Sequence, residues 1–338
     1  MPTAAEFDRY ARQTVLPQVG RAGQRRLLAA KVLVVGAGGL GCPVLQYLAG
    51  AGVGRLVVVD PDTVSEHNLH RQTFYTAADV GRAKCDAMAE RLTALNPDCE
   101  IEPVRVALGP RNARGWVADA DLVLDCADSV AVSYILSDTC LTADTPLISA
   151  SALGLSGYVG GFCAGAPSLR AVFPALPNTL ANCNEAGVLG PVVGLLGCAQ
   201  AQMALAVLLD LPDSPLGRLW QFDANGFRAS SMQFGGAPEP VPDAIFPFID
   251  AADVVPGDRV FELRDTAESA SPAHPDAIRV DEQGVSELAF ESTDARTVFC
   301  CHAGVRAWRA ASQLHASRGG DFALIAATTL TPNENTTQ

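Results

Sequence analysis

The residues of this chain best suited to chemistry fall in three stretches. The first, KVLVVGAGGLG (31–41), sets Gly36, Gly38 and Gly41 in a G-x-G-x-x-G spacing, after an apolar run and ahead of a helical pattern. Glycines there permit a tight turn and let backbone N–H groups approach a phosphate at a helix N-terminus. Asp60 closes the next apolar run, where an acceptor for a ribose hydroxyl is expected. Taken alone, these residues suit a nicotinamide dehydrogenase. The next residues along the chain suit a polyphosphate better: Asp62, Asn68, Arg71 and Gln72, then Lys84, one of only two lysines in the chain. A compact ammonium at that position fits phosphate contact, with a solvated helix-surface lysine as the alternative. LVLDCADS (122–129) then ends a hydrophobic run on Asp125 and Asp128, at the strand edge where such sheets bind ligands. An acid there can hold Mg2+ against a triphosphate or cap the helix beyond it.

The second stretch, NCNEAGVLGPVVG (182–194), puts Cys183 in a glycine-flanked loop before a long apolar helix, where a helix N-terminus favours the thiolate. The third, VFCCHAGVRAW (298–308), reads as strand, six-residue loop and helix, with Cys301 opening the loop. Backbone N–H groups aimed at its sulfur, with the charge of Arg306, would stabilise a thiolate or persulfide. Cys300 is expected to face the opposite way, into a core. The bland alternative for either cysteine is a buried structural thiol. A nucleotide site with two separately housed cysteines points to activating a carboxylate and then handing it sulfur.

These residues need a scaffold. Apolar runs at 31–35, 55–60, 100–106, 121–126 and 146–151 alternate with helical patterns near 41–51, 81–95 and 130–143. That alternation predicts an α/β fold, a doubly wound, largely parallel Rossmann-like sheet, over residues 1–232. The Gly/Pro-rich GGAPEPVPDA marks a linker at 233–250, a smaller α/β unit is expected over 251–330, and 331–338 is a polar tail. Residues 186–209 hold no formal charge, but Pro191, four glycines, Gln200 and Gln202 argue for a turn and a buried helix, not a membrane span.

Composition narrows the function classes. The net charge is −13, and the part after residue 240 has 15 acidic against 7 basic residues, so no basic footprint for nucleic acid is present. Ten cysteines behind a start with no secretory pattern favour a reducing cytoplasm.

With RYARQ (Arg9 to Gln13), GAGGLG, DPDTV, NLHRQ, GRAK, LNP, DCAD and CNEAGVLGPVVG in order, residues 8 to about 232 resemble the ThiF/MoeB/HesA adenylyltransferases, bacterial relatives of ubiquitin-activating enzyme. The resemblance implies ATP- and Mg2+-dependent adenylation of the C-terminal glycine of a ubiquitin-like sulfur carrier ending in Gly-Gly. It implies Gly39, Asp60, Asn68, Arg71, Lys84 and Asp128 as ATP and Mg2+ contacts, Asp128 being the metal ligand. Arg12 would reach the phosphates from the neighbouring subunit of a homodimer, and Cys183 would carry the acyl group as thioester or acyl disulfide. A glycine carboxylate is already ionised at neutral pH, so alignment and charge neutralisation suffice. Many members carry two Cys-x-x-Cys pairs around a structural zinc. Here Ser168 and Ala171 stand at the first ligand positions and no second pair lies near MQFGGAPEP, so no structural zinc is expected. Ser129 and His67 also depart from the frequent Asn and Ser.

The C-terminal unit more loosely resembles rhodanese-like sulfurtransferases, with VFELRDTAE where Asp-x-Arg is usual and Ala307 for a frequent Ser. That implies sulfur taken from a cysteine desulfurase or thiosulfate, or else a degenerate docking domain. GVLGPVVG leans toward the thiamine branch over the molybdopterin branch. The competing readings are a tRNA-modifying relative of the same family and a non-catalytic nucleotide-binding scaffold for a ubiquitin-like partner.

Overall fold

The central strand runs KVLVV and RLVVV are β-branched and apolar because both faces of the sheet they form are covered there. In the computed structural model, which describes residues 8–176, 187–288 and 295–330, β1 (Lys31–Val35) and β2 (Arg55–Val59) are buried along all but their first residue. With β3 (Glu100–Val104), β4 (Leu122–Asp125) and β5 (Leu147–Leu153) they pair in parallel in the order β3-β2-β1-β4-β5. The chain leaves β1 toward β2 on one side while β4 lies on the other, so the crevice at the C-terminal ends of β1 and β4 is the topological switch point.

Early helices support this edge. They are α1 (Ala11–Thr14), α2 (Gly20–Ala29), α3 (Gly41–Ala51), α4 (Lys84–Leu95), α5 (Pro110–Ala118) and α6 (Val130–Ala143). The predicted helix at 81–95 starts at Lys84, because Gly81 adopts φ +88° and turns the chain first. Three further strands, β6 (Ser156–Phe162), β7 (Arg218–Asp223) and β8 (Arg228–Gln233), extend the sheet antiparallel beyond β5. Between β6 and β7 run α7 (Leu169–Val172) and α8 (Gly190–Leu208). α8 is long and apolar enough to cross a membrane by length and composition, yet it lies on α3, β4, β5 and β6 with Val192, Val193, Leu196 and Ala204 in the core.

The second sheet orders β10 (Ile278–Arg279), β9 (Arg259–Glu262), β11 (Thr297–Cys301) and β12 (Phe322–Ala326), all parallel, with α9 (Glu282–Glu287) and α10 (Val305–Arg318). The segment read as a linker is not slack: Phe246 and Phe248 are buried, and Phe248 bridges to Leu324. One apolar cluster joins the two sheets, from Leu136 of α6 to Phe299 of β11 and Leu314 of α10. Tyr134 and Trp308 rings meet at 4.9 Å, and the Arg170 guanidinium lies over both while binding Asp138 at 2.6 and 2.8 Å.

Ser168 and Ala171, the positions of the first missing Cys-x-x-Cys, frame the short α7. Ser168 donates its N–H and hydroxyl to Glu239 at 2.7 and 2.6 Å, and Glu239 belongs to the segment where a second pair would fall. A carboxylate clasp thus joins these two segments.

Candidate active site

The glycine turn is fixed by close packing. A Cβ on Gly36, at φ +99°, would come 2.6 Å from the Cys126 carbonyl oxygen, and one on Gly41 would come 2.0 Å from the Gly36 oxygen. Gly39 is needed for another reason: its Cβ would meet Val193 of α8 at 2.7 Å. A Cβ on Gly38, by contrast, would meet only Gln72 Nε2, at 3.5 Å. The turn therefore presents backbone, not side chains, to the crevice.

Asp60 already has protein partners. It is buried, and its Oδ2 accepts the Ala37 N–H at 2.7 Å while Oδ1 accepts the Asp62 N–H at 2.8 Å. Burial pushes its carboxyl above the ordinary range, against the opposing pull of Lys84 and these two N–H groups. Asp60 thus ties the glycine turn to Asp62 of the cavity wall.

A polar cavity of about 250 Å3 opens at the switch point, lined by Asp62, Thr63, Ser65, His67, Asn68, Arg71, Gln72, Lys84 and Asp128. Six of these are predicted from the sequence; Thr63, Ser65 and His67 are not, although DPDTVS signals a polar run after the strand and His67 stands out as a departure from the family pattern. Lys84 is buried, not a solvated surface residue, and its Nζ binds Asp62 at 2.8 Å. Burial lowers its pKa, but Asp60 and Asp62 outweigh that and leave it raised, so the ammonium keeps its charge. Arg71 donates to Asn68 Oδ1 at 2.9 Å.

Asp125 is fully buried, accepts from Ser149 Oγ at 2.8 Å, and is pushed up to about 6 by burial. It belongs to the sheet's interior. Asp128 is exposed, its carboxylate unpaired among the described side chains, which fits a hard cation. It is not the N-cap of α6; that position is Ser129, whose buried Oγ has no partner among the described residues. Gln72 Oε1, in the cavity wall, is likewise buried and unpartnered among the described residues. A bare-backbone turn, a fixed ammonium, an arginine and orphaned polar atoms suit a nucleoside triphosphate and its metal.

Arg12 sits exposed on α1, outside the lining of its own chain's cavity. Its neighbours are anchored: Asn96 of the LNP run donates to Tyr10 Oη at 2.9 Å, and Gln13 donates to the Ala51 carbonyl at 2.8 Å. Cys183 lies outside the described residues.

Cys301 ends β11 on the face opposite Cys300, as alternation requires. The loop after it is three residues, not six, because Gly304 at φ +85° starts α10 early, at Val305. That brings the N–H groups of Gly304 and Ala307 to 3.1 and 3.4 Å from the sulfur. Burial raises the thiol's pKa, while these N–H groups and Arg306 oppose the rise. Glu262 takes the acidic place in VFELRDTAE: it binds Arg264 at 2.9 and 2.6 Å and caps Ala273 N–H at 2.8 Å.

This geometry has counterparts among known proteins. A model of the ThiF family matches residues 10–240. The adenylyltransferase and sulfurtransferase uba4 of Aspergillus fumigatus is 47% identical over 214 residues, covering 60% of this chain and 43% of its own. The adenylyltransferase and sulfurtransferase MOCS3 of Bos taurus is 48% identical over 222 residues, covering 65% and 49%. The chain thus spans about half the length of the curated relatives it matches. Among solved structures, E. coli MccB superposes with a TM-score of 0.62 over 71% of this chain and 74% of that one, at 19% identity. PaaA superposes at 0.59 over 69% and 75%, at 21% identity. Those likenesses speak for the fold. The sequence match, running over more than half the length and across the whole cavity, shows that the chain belongs to the ThiF family.

Proposed function

We propose that this protein adenylates the C-terminal glycine of a ubiquitin-like sulfur carrier with ATP and then converts the acyl adenylate to a thiocarboxylate. The observation that carries the reading is the switch-point cavity, where Asn68, Arg71, Lys84 and Asp128 converge beside a glycine turn. Relatives bearing the same adenylyltransferase and sulfurtransferase name support it.

In the first step a carboxylate oxygen of the carrier's glycine attacks the α-phosphorus, and the bond to the β-phosphate oxygen breaks. Lys84, kept charged by Asp60 and Asp62, and Arg71, oriented by Asn68, neutralise the departing pyrophosphate. Asp128 would hold Mg2+, which supplies further charge neutralisation when bound. Arg12, on its anchored arm, would complete the phosphate contacts of a second subunit in a homodimer. The implied captor of the activated acyl group is Cys183, and Cys301, in its N–H cradle, the carrier of persulfide sulfur. The product would serve thiamine thiazole or molybdopterin synthesis; the thiamine lean rests on GVLGPVVG alone, and the setting is taken as cytoplasmic.

The test is the intact mass of a carrier ending in Gly-Gly after incubation with the protein, Mg·ATP and a sulfane-sulfur donor. Thiocarboxylate supports both halves. A carrier stopped at adenylate keeps the nucleotide site and removes Cys301 from the reaction. No change with any carrier refutes the reading in favour of a tRNA substrate or a scaffold.

A further inference from the structure

The surroundings of Cys301 say more than that it can hold sulfur. Its sulfur accepts N–H bonds from Gly304 and Ala307, an arrangement for an anion, so the charge a donor meets is set by the side chains nearby. Arg306, in the first turn of α10, is the first arginine after Cys301 in sequence, and it is not free. Its Nη2 binds both oxygens of Glu268, at 2.8 and 2.9 Å, and its Nη1 binds the Leu263 carbonyl at 3.0 Å. Arg264, whose charge also reaches Cys301, is tied to Glu262 in a second two-pronged pair. Arg279 donates to the carbonyls of Arg264 and Ser269, bracing the segment that carries Glu268. Every cation in this group is thus spoken for, and Asp265 accepts the Glu268 N–H at 2.7 Å, adding another acid beside it.

Resting on the reading that Cys301 carries sulfur, we propose that Glu268 sets the sulfur donor: by engaging Arg306 it turns away dianionic thiosulfate and favours persulfides carried on a thiol. The chemistry separates the two. With a persulfide R–S–SH, the Cys301 thiolate attacks the outer sulfur, the S–S bond breaks, and R–S− leaves with the electron pair to be protonated by water. Cys301–S–SH forms with no net oxidation. With thiosulfate the same attack expels sulfite, so two negative charges must approach and then depart beside a thiolate. That path is eased by an unpaired cation near the sulfur, and Arg306, next to Ala307 whose N–H reaches the sulfur at 3.4 Å, is the residue placed to supply it. Glu268 touches neither donor; it acts through Arg306 as a specificity-determining residue.

The experiment uses the full chain and two probes, cysteamine persulfide, which carries an ammonium and no carboxylate, and thiosulfate, with sulfur on the Cys301 peptide measured by mass against time. The Glu268–Arg306 pair is partly exposed, with side chains 43% and 29% accessible. Releasing Arg306 by Glu268→Gln should therefore raise the thiosulfate rate constant about fivefold while the persulfide rate stays within about twofold. Glu268→Asp, which keeps the charge, should stay near the parent ratio. An unchanged donor ratio in Glu268→Gln, or equal acceleration with both donors, overturns the assignment. If neither donor loads the parent protein and Cys301→Ser behaves identically, the sulfur-carrying reading itself fails and the donor assignment falls with it.

Discussion

Replacing Asp60 by Asn separates two parts this residue can play. A ribose acceptor alone would leave the apo fold unaffected when changed. A clamp on the glycine turn would not. The carboxylate accepts the Ala37 and Asp62 N–H groups at 2.7 and 2.8 Å with 6% of the residue accessible. An Asn of the same shape keeps one acceptor oxygen and turns an NH2 toward the other N–H. A hydrogen bond to a charged acceptor contributes about 1.5–3 kcal/mol, and a buried N–H left without a partner costs about 1–3 kcal/mol. Relief from burying the charge offsets part of this, because burial already pushes the Asp60 carboxyl up. The expected net loss is about 2–3 kcal/mol, read as a lower urea midpoint at unchanged slope. ATP–pyrophosphate exchange should show a KM for ATP raised about tenfold, since the loosened turn must be reordered by the nucleotide. A midpoint within about 0.5 kcal/mol of the parent, with KM alone raised, would refute the clamp and restore the ribose role.

Asp128→Ala should abolish ATP–pyrophosphate exchange with stability changed by less than about 0.5 kcal/mol, because the side chain is exposed and unpaired among the described residues. Retained exchange removes Asp128 from the reaction. Cys183→Ala should leave carrier adenylation intact and impair thiocarboxylate formation, both read by carrier mass; loss of adenylation counts against the assignment. Glu239→Gln should lower stability by about 1–2 kcal/mol, because an amide cannot accept from both the N–H and the hydroxyl of Ser168. Unfolding at the parent midpoint would make that clasp incidental.

Most of the parallel half of the large sheet is legible in the sequence because β1, β2 and β4 are buried on both faces and so read as unbroken apolar runs, while β3, with no buried residue, is legible only from its place in the strand–helix alternation. The antiparallel extension is not. All six residues of β8 are exposed, so RASSMQ carries no alternation to reveal a strand. The cavity lining is legible where a family motif names the residue, but the hold of Asp60 on the Ala37 and Asp62 N–H groups is not, since sequence marks the strand end and not which way a carboxylate turns. The Cys301 loop is shorter than its spacing suggests because a helix can start on the far side of a left-handed glycine. Phe246 and Phe248 are hidden by the Gly/Pro-rich composition around them.

The apolar cluster shared by the two sheets has a practical consequence for anyone cutting this chain into pieces. A fragment ending before residue 245 would strip Phe246, Phe248 and Trp308 from the surface of α6, leaving Tyr134 and its neighbours wet. The complementary fragment would expose Phe261, Phe299 and Leu314. Neither piece is a cassette to be expressed alone or grafted onto another scaffold, and calorimetry of the intact chain should trace one endotherm, not two.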